Sequence, residues 1–363
     1  MHMADALLAP AVAATMYVAS AGAAGTSIIK LRKEQKAELE SGLKKLPTMA
    51  VMAALVFAGQ MINYTIPGTG SSGHICGGML LTGLLGPWAG FLSMIVVLLV
   101  QCLFFADGGL MALGANIWNM AFYGCFVGYF LIYRPIMQSR WFGSRGTRAA
   151  NRLKIIISSI AGCVLTLQLG AFSVVLETSI SGITDLPFGA FCALMQPIHL
   201  AIGLVEGIVT AAVLVFVYEA RPEMVRCVQT GESVKSKVSF GGVIAILAIL
   251  AVVIGGGLSL LASSNPDGLE WSLFGNSEAG YSANMGLDEE DYGVASDIAD
   301  TAAGIQDKTA ILPDYSFAND SENAAGTSVS GIVGIAIVGG IAALVCIAGG
   351  VLRKKSKTGN AGA

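Results

Sequence analysis

Charge is scarce in this sequence. Only 12% of its 363 residues are Asp, Glu, Lys or Arg, about half the share usual in a soluble domain. Histidine is scarcer still, and His2, His74 and His199 are the whole supply. No G-x-x-x-x-G-K-[ST] phosphate loop occurs, so the chain does not hydrolyse ATP by that route. The absence of H-E-x-x-H counts against an intramembrane metalloprotease. Seven cysteines (Cys76, Cys102, Cys125, Cys163, Cys192, Cys227, Cys346) never take C-x-x-C spacing, and most sit inside apolar runs. They read as small packing residues rather than as disulfides or a metal cluster.

What the chain has instead is apolar length. Hydrophobic residues make up 54% of it, with 46 glycines, and the mean hydropathy is +0.70. Runs of ~20 apolar residues recur, each long enough to cross a ~30 Å hydrocarbon core. The fold class that follows is an all-α, polytopic helical membrane protein. Its net charge of −3 hides a strong segregation along the chain.

The first apolar segment is 6–29. Ala19-Ser20-Ala21 resembles a signal cleavage site, but a signal peptide carries a basic region before its apolar core. Here Lys30, Arg32 and Lys33 follow the segment. Cytoplasmic loops hold the excess of Lys and Arg, so the amino terminus is expected outside and 30–45 inside. Small residues at four-residue spacing (Ala9 and Ala13, Ala19 and Ala23, Ala21 and Gly25) permit close helix contact, within the chain or with a partner subunit. The second segment, 46–66, ends outside at Pro67-Gly68. A short piece, 75–85, leads to Gly86-Pro87, and 88–106 leads to Asp107-Gly108-Gly109. Parity counts the short piece as a span, because the next basic stretch must again be cytoplasmic. Segment 110–133 reaches that stretch at Arg134, Arg140, Arg145, Arg148, Arg152 and Lys154. Segments 155–182 and 188–218 form a hairpin with its turn, Thr184 to Pro187, outside. Seven spans return the chain inside at Arg221, Arg226, Lys235 and Lys237.

Composition then changes. Residues 239–262 are an apolar span, 263–327 an acidic stretch with Lys308 its single cation, and 328–352 a last span before Arg353-Lys354-Lys355-Ser356-Lys357. The expected organisation is a seven-span bundle, 1–219, a cytoplasmic linker, 220–238, and a two-span unit, 239–363, with loop 263–327 outside. That loop either concentrates cations near the membrane surface or is a solvated spacer.

The most specific chemistry lies at the start. Met1-His2 offers a metal ion three nitrogens in a row: the α-amine, the His2 amide nitrogen and the His2 imidazole. Bound through Nδ1, they close a five-membered and a six-membered chelate ring. A planar nitrogen set with one open position suits Ni(II) or Cu(II). His74, in the loop Gly68-Thr69-Gly70-Ser71-Ser72-Gly73-His74 on the same expected side, is available for that fourth position. The plainer reading is an arbitrary second residue and an ordinary loop histidine.

Polar residues inside the spans have two readings as well. A charge at mid-membrane costs on the order of 2.5–3.5 kcal/mol, yet Glu177, His199 and Glu206 sit in apolar segments. His199 and Glu206 share a helix face two turns apart. They form either a second metal site or helix-to-helix hydrogen bonds. Asn63, Asn116 and Asn119, nearer the outer ends, are placed to hold the amino-terminal loop or to orient a ligating imidazole.

Met1-His2-Met3-Ala4-Asp5-Ala6-Leu7 resembles the amino-terminal motif of the substrate-capture membrane component of cobalt/nickel energy-coupling-factor (ECF) transporters. Gly73-His74 with Gly77-Gly78, Leu85-Gly86-Pro87-Trp88 and Asp107-Gly108-Gly109-Leu110-Met111-Ala112-Leu113-Gly114-Ala115-Asn116 are similar to further signatures of that family. Pro266-Asp267-Gly268-Leu269-Glu270 resembles the hallmark of its small two-span accessory component, here on the same chain. The resemblance implies Met1, His2 and His74 as the metal ligands of a planar nitrogen site, none of them in 239–363. Ala6 stands where the family often has glycine. The large His2 side chain also disfavours removal of Met1, since the trimming aminopeptidase prefers a small second residue.

The same resemblance implies a subunit of an ABC-type importer for Ni2+ or Co2+ in the plasma membrane, with no enzymatic activity or catalytic cofactor of its own. Its partners would be ATP-binding cassette ATPases and a transmembrane coupling subunit, with no nucleic acid. Two other classes remain open: a stand-alone metal channel or secondary transporter, and a membrane metalloenzyme. The first needs a continuous polar path, and few polar residues lie near the cytoplasmic span ends. The second lacks a base-plus-metal constellation. Nickel against cobalt is left undecided. A deprotonated amide favours Ni(II), while affinity order alone favours Cu(II).

Overall fold

The computed structural model describes residues 1–39, 46–140, 147–182, 187–228, 238–281, 292–317 and 323–359, with Met285, Leu287 and Asn319. The turn at Thr184 to Leu186, Arg145, the linker cations Lys235 and Lys237, and the run Asp288 to Asp291 lie outside the described residues.

Helix α1 (Pro10–Leu39) opens on a proline, the residue best suited to a first turn whose N–H groups have no helical partner. Six described helices are long and apolar enough to cross a bilayer: α1 over Pro10–Glu34, α4 (Pro87–Phe105), α5 (Leu113–Gln138), α6 (Arg148–Ser181), α7 (Phe188–Ala220) and α11 (Ala324–Gly359) over Ala324–Leu344. Helices α2 (Leu46–Gln60) and α8 (Phe240–Gly256) are apolar but shorter. The polytopic helical class therefore holds, and the count of spans is corrected at 75–85. There the helix, α3 (Gly78–Leu85), has only 8 residues, all of them buried, about 12 Å of rise. Gly77 (φ 83°) and Gly86 (φ 84°) bracket it in conformations that other residues rarely adopt. The preceding residues cover distance as extended chain.

The second segment also stops early. Helix α2 ends at Gln60, and the chain makes a hairpin in which β1 (Tyr64–Ile66) pairs antiparallel with β2 (Ser71–Gly73), Tyr64 opposite Gly73 and Ile66 opposite Ser71. This hairpin presents His74. The central part of α5, Ile117–Tyr133, is wound as a π-helix, a form usually confined to single turns.

Glycine sets the closest helix contacts. A Cβ at Gly207 of α7 would lie 2.6 Å from Ile160 Cα of α6, and one at Gly203 would lie 2.9 Å from Val164 Cα. Only small residues allow backbones to approach this way. Between α8 and α11, a Cβ at Gly331 would meet the Gly255 carbonyl oxygen at 1.9 Å. Helix α11 also packs on α2, where Gly334 lies under the Phe57 ring. Phe57 and Phe105 share one buried cluster with Val338 and Ala342.

The described part of 263–327 is folded onto the first bundle rather than solvated around it. It contains two short helices, α9 (Gly268–Phe274) and α10 (Asp297–Thr309). The Ser72 N–H donates to Pro266 O at 2.8 Å, Ser263 N–H to Asn63 O at 2.7 Å, and Ile311 N–H to Phe104 O at 3.0 Å. Gln306 on α10 donates to Gly108 O and Cys102 O and accepts from Leu110 N–H. The stretch is thus a cover over the loops of the bundle.

Candidate metal-capture site

The amino-terminal residues are threaded into the bundle. Met3, Leu7 and Leu8 are buried, so apolar burial anchors a segment whose polar backbone also finds partners. Asn116 at the start of α5 takes both backbone groups of Met3: its Oδ1 accepts from Met3 N–H at 2.7 Å, and its Nδ2 donates to Met3 O at 3.2 Å. Gly109 N–H donates to the same carbonyl at 2.8 Å. Asp5 Oδ1 accepts from Ala112 N–H at 2.9 Å. Ala6 lies in a right-handed 3-10 turn, Asp5–Leu7, and its carbonyl accepts from Val294 N–H at 2.8 Å. Glycine is not needed there.

This threading brings the three expected ligand residues together. The rings of His2 and His74 stack at 5.3 Å between centroids, 21° from parallel. Two imidazoles on one ion, at a metal–nitrogen bond of about 2.0 Å, have centres about 4.5–6.5 Å apart. Met1 and His74 line one narrow cavity. His74 Nδ1 lies 3.1 Å from Ile75 O. That carbonyl can only accept, so the ring proton is on Nδ1 and Nε2 keeps its lone pair.

Two carboxylates address the other donors. The Met1 amine pairs with Asp267 Oδ2 at 2.8 Å, and His2 Nδ1 lies 3.1 Å from Asp107 Oδ1. Burial works to lower the amine's pKa, but Asp267 outweighs it and holds the amine above its ordinary value. Burial pushes Asp267 up, and the ammonium pulls it well below the usual carboxylate range. Burial lowers His2, against the opposing charge of Asp107. Burial, then the Met1 ammonium and His2, take His74 down to about 4. Both imidazoles are therefore neutral at pH 7, and a metal arriving at the amine must displace a proton.

Asp267 lies in 239–363, where the sequence offered no ligand. It is the N-cap of α9, accepting from Leu269 and Glu270 N–H, while Glu270 closes the capping box. Its second oxygen is left for the amine. The roles of Asp267 and Asp107 were not assigned from the sequence. The signal was their position in the two aspartate-glycine motifs, and a motif does not say which atom it faces.

The other polar candidates separate. Asn119 Nδ2 donates to Glu177 Oε2 at 2.8 Å and approaches Met3 Sδ at 3.6 Å. Asn63 contributes its carbonyl to Ser263, away from the imidazoles. Glu206 accepts from Cys76 N–H and Gly77 N–H at 2.8 and 2.9 Å, tying the chain just after His74 to α7. Among the described residues no group of three His, Cys, Asp or Glu side chains is disposed to hold an ion; Glu206 is taken up by those two backbone N–H groups, and His199 Nδ1 by the Met195 carbonyl.

The fold is that of a polytopic helical membrane protein, with Met1 and His74 on one narrow cavity and His2 stacked on His74. The comparisons with known proteins agree in kind. Residues 2–224 match the family described as the cobalt uptake substrate-specific transmembrane region, and residues 241–350 match the PDGLE domain. The chain belongs to the cobalt-uptake transmembrane family and carries a PDGLE domain on the same polypeptide. A putative fused nickel transport protein of Archaeoglobus fulgidus is 35% identical over 342 residues, 93% of this chain and 95% of that protein. A probable fused nickel transport protein of Lactiplantibacillus plantarum is 34% identical over 75% of this chain and 78% of its own length. A cobalt transport protein of Sorangium cellulosum is 32% identical over 49% of this chain and 75% of its own.

Proposed function

We propose that this chain is the substrate-capturing membrane subunit of an ECF-type importer for Ni2+ or Co2+. The ion binds in a plane formed by the Met1 amine, the His2 amide nitrogen, His2 Nδ1 and His74 Nε2. The observation that carries the reading is the meeting of Met1 and His74 on one narrow cavity with the His2 ring stacked on His74, and with Asp267 and Asp107 on the donors that must be freed. Residues 1–219 act as the capture bundle, 220–238 as a cytoplasmic linker and 239–363 as the accessory unit. The amino terminus and 263–327 face outward and the carboxyl terminus is cytoplasmic, in the plasma membrane. ATP is hydrolysed by separate ATPase subunits through a transmembrane coupling subunit, consistent with the missing phosphate loop. Titration of the purified full chain with Ni(II) and Co(II), beside uptake by cells with and without the partner subunits, tests it. One ion per chain and partner-dependent uptake are expected. No binding, or uptake by the chain alone, refutes it.

A further inference from the structure

His199 has no part in the capture plane, yet it is built as a ligand. It is fully buried on α7, and Nδ1 lies 2.8 Å from the carbonyl of Met195, one turn back. That carbonyl only accepts, so the ring proton is held at Nδ1 and Nε2 presents a bare lone pair. Among the described residues, Nε2 has no hydrogen-bond partner. A buried polar atom left this way is uncommon and calls for an explanation. Metal-binding imidazoles are oriented in this manner, with the far N–H given to a carbonyl so that tautomer and ring plane are set.

The ring belongs to the wall of the cavity that also holds Met1, His74, Cys76, Asp267 and Gly268. The cavity measures about 10 Å³, space for one ion or water and nothing larger. Gly268 closes it: a Cβ there would stand 3.1 Å from His199 Cε1 and 2.7 Å from Ile198 Cγ2. The sulfur-bearing side chains beside it, Met1 and Cys76, are soft donors that favour late first-row cations over Mg2+ or Ca2+.

We propose that His199 Nε2 is a second metal position, which takes the place of His74 on the captured ion in the next step of transport. The inference rests on the capture reading above. In the exchange the bond to His74 Nε2 breaks as the bond to His199 Nε2 forms, while the bonds to the Met1 amine, the His2 amide nitrogen and His2 Nδ1 are kept. No proton moves at His199, because its ring proton stays on Nδ1.

Two substitutions in the full chain separate ligation from packing. His199→Gln keeps much of the size and a hydrogen-bond donor toward Met195 but offers no imidazole or thiolate. His199→Cys loses the shape but keeps a metal ligand. Each is purified for Ni(II) titration and assayed for nickel uptake in cells that carry the complete transporter. Capture affinity should match the wild type in both variants. Uptake should fall about tenfold or more in His199→Gln, the scale of losing a metal-site contact, and less in His199→Cys. Wild-type uptake by His199→Gln overturns the proposal. So does His199→Cys transporting no better than His199→Gln, the order that packing alone predicts. Capture affinity in His199→Gln weakened as far as in His2→Ala overturns it too, by placing His199 in the first site. Failure of the wild type to bind Ni(II) defeats the capture reading itself, and this inference with it.

Discussion

Adding one glycine ahead of Met1 is the sharpest perturbation of the capture site. The Met1 amine is buried and sits 2.8 Å from Asp267 Oδ2, with side-chain exposures of 3% and 16%. The extension turns that amine into an amide and sends the new amine into the narrow cavity walled by His74, His199 and Gly268. Removing one partner of a buried ion pair costs about 3–5 kcal/mol. Asp267 keeps its two capping bonds to Leu269 and Glu270, so the loss here is nearer that of one charged hydrogen bond, about 2 kcal/mol. At about 1.4 kcal/mol per factor of ten, docking of the amino terminus weakens about thirtyfold. The extended terminus still offers four nitrogens, its amine, two amides and the imidazole, so the plane is filled without His74. Competition against a chromophoric chelator measures the Ni(II) Kd of the native and extended forms. In the extended form His74→Ala should therefore no longer change the Kd; a loss as large as in the native form, with the fold intact by circular dichroism, would refute the four-nitrogen plane.

His74→Ala should weaken Ni(II) binding less than His2→Ala, since the first leaves the amine, amide and His2 chelate whole; reversed order in the same titration contradicts the ligand assignment. Ni(II) affinity should drop as pH falls, about tenfold per unit for each proton displaced, because Asp267 holds the Met1 amine above its ordinary value. Asp267→Asn should lower the amine's pKa and move that profile to lower pH. In the metal-free protein the sign reverses: the docked ammonium stabilises the fold below the ordinary amine pKa, and this is lost as pH rises through the raised value. Asn116→Ala strips Met3 N–H of its side-chain partner, a penalty of about 1–3 kcal/mol for a buried donor. Faster proteolysis of the amino terminus, with the hairpin before His74 unaffected, is the expected result. A cysteine at Ser139 should react only with membrane-permeant thiol reagents, and external labelling there would overturn the proposed orientation.

The class of protein follows from local properties. Apolar runs of membrane length predict helices because an unpaired backbone cannot remain in lipid, and six such helices are present among the described residues. The chelating power of Met1-His2 is likewise local, a matter of adjacent atoms closing small rings. In segments 46–66 and 75–85 the helix is shorter than the apolar run, for the complementary reason. Apolar character does not separate helix from buried extended chain, and the ends are set by Gln60, Gly77 and Gly86 in their tertiary surroundings.

The remainder was decided by folding. Nothing in the order of residues says that Asp267 meets an amine 266 positions earlier, or that Asp107 meets His2. The hydropathy of 263–327 suits a spacer, and the described parts of it form a cover instead. His199 was visible as a polar residue in an apolar run, but its bare nitrogen became legible only with the Met195 carbonyl and the wall of Gly268 in place. Chain composition determines which atoms are available and how they bond to near neighbours. Which of them are buried together, and which lone pairs are left over, depends on contacts between segments far apart in sequence, and these arise only in the packed structure.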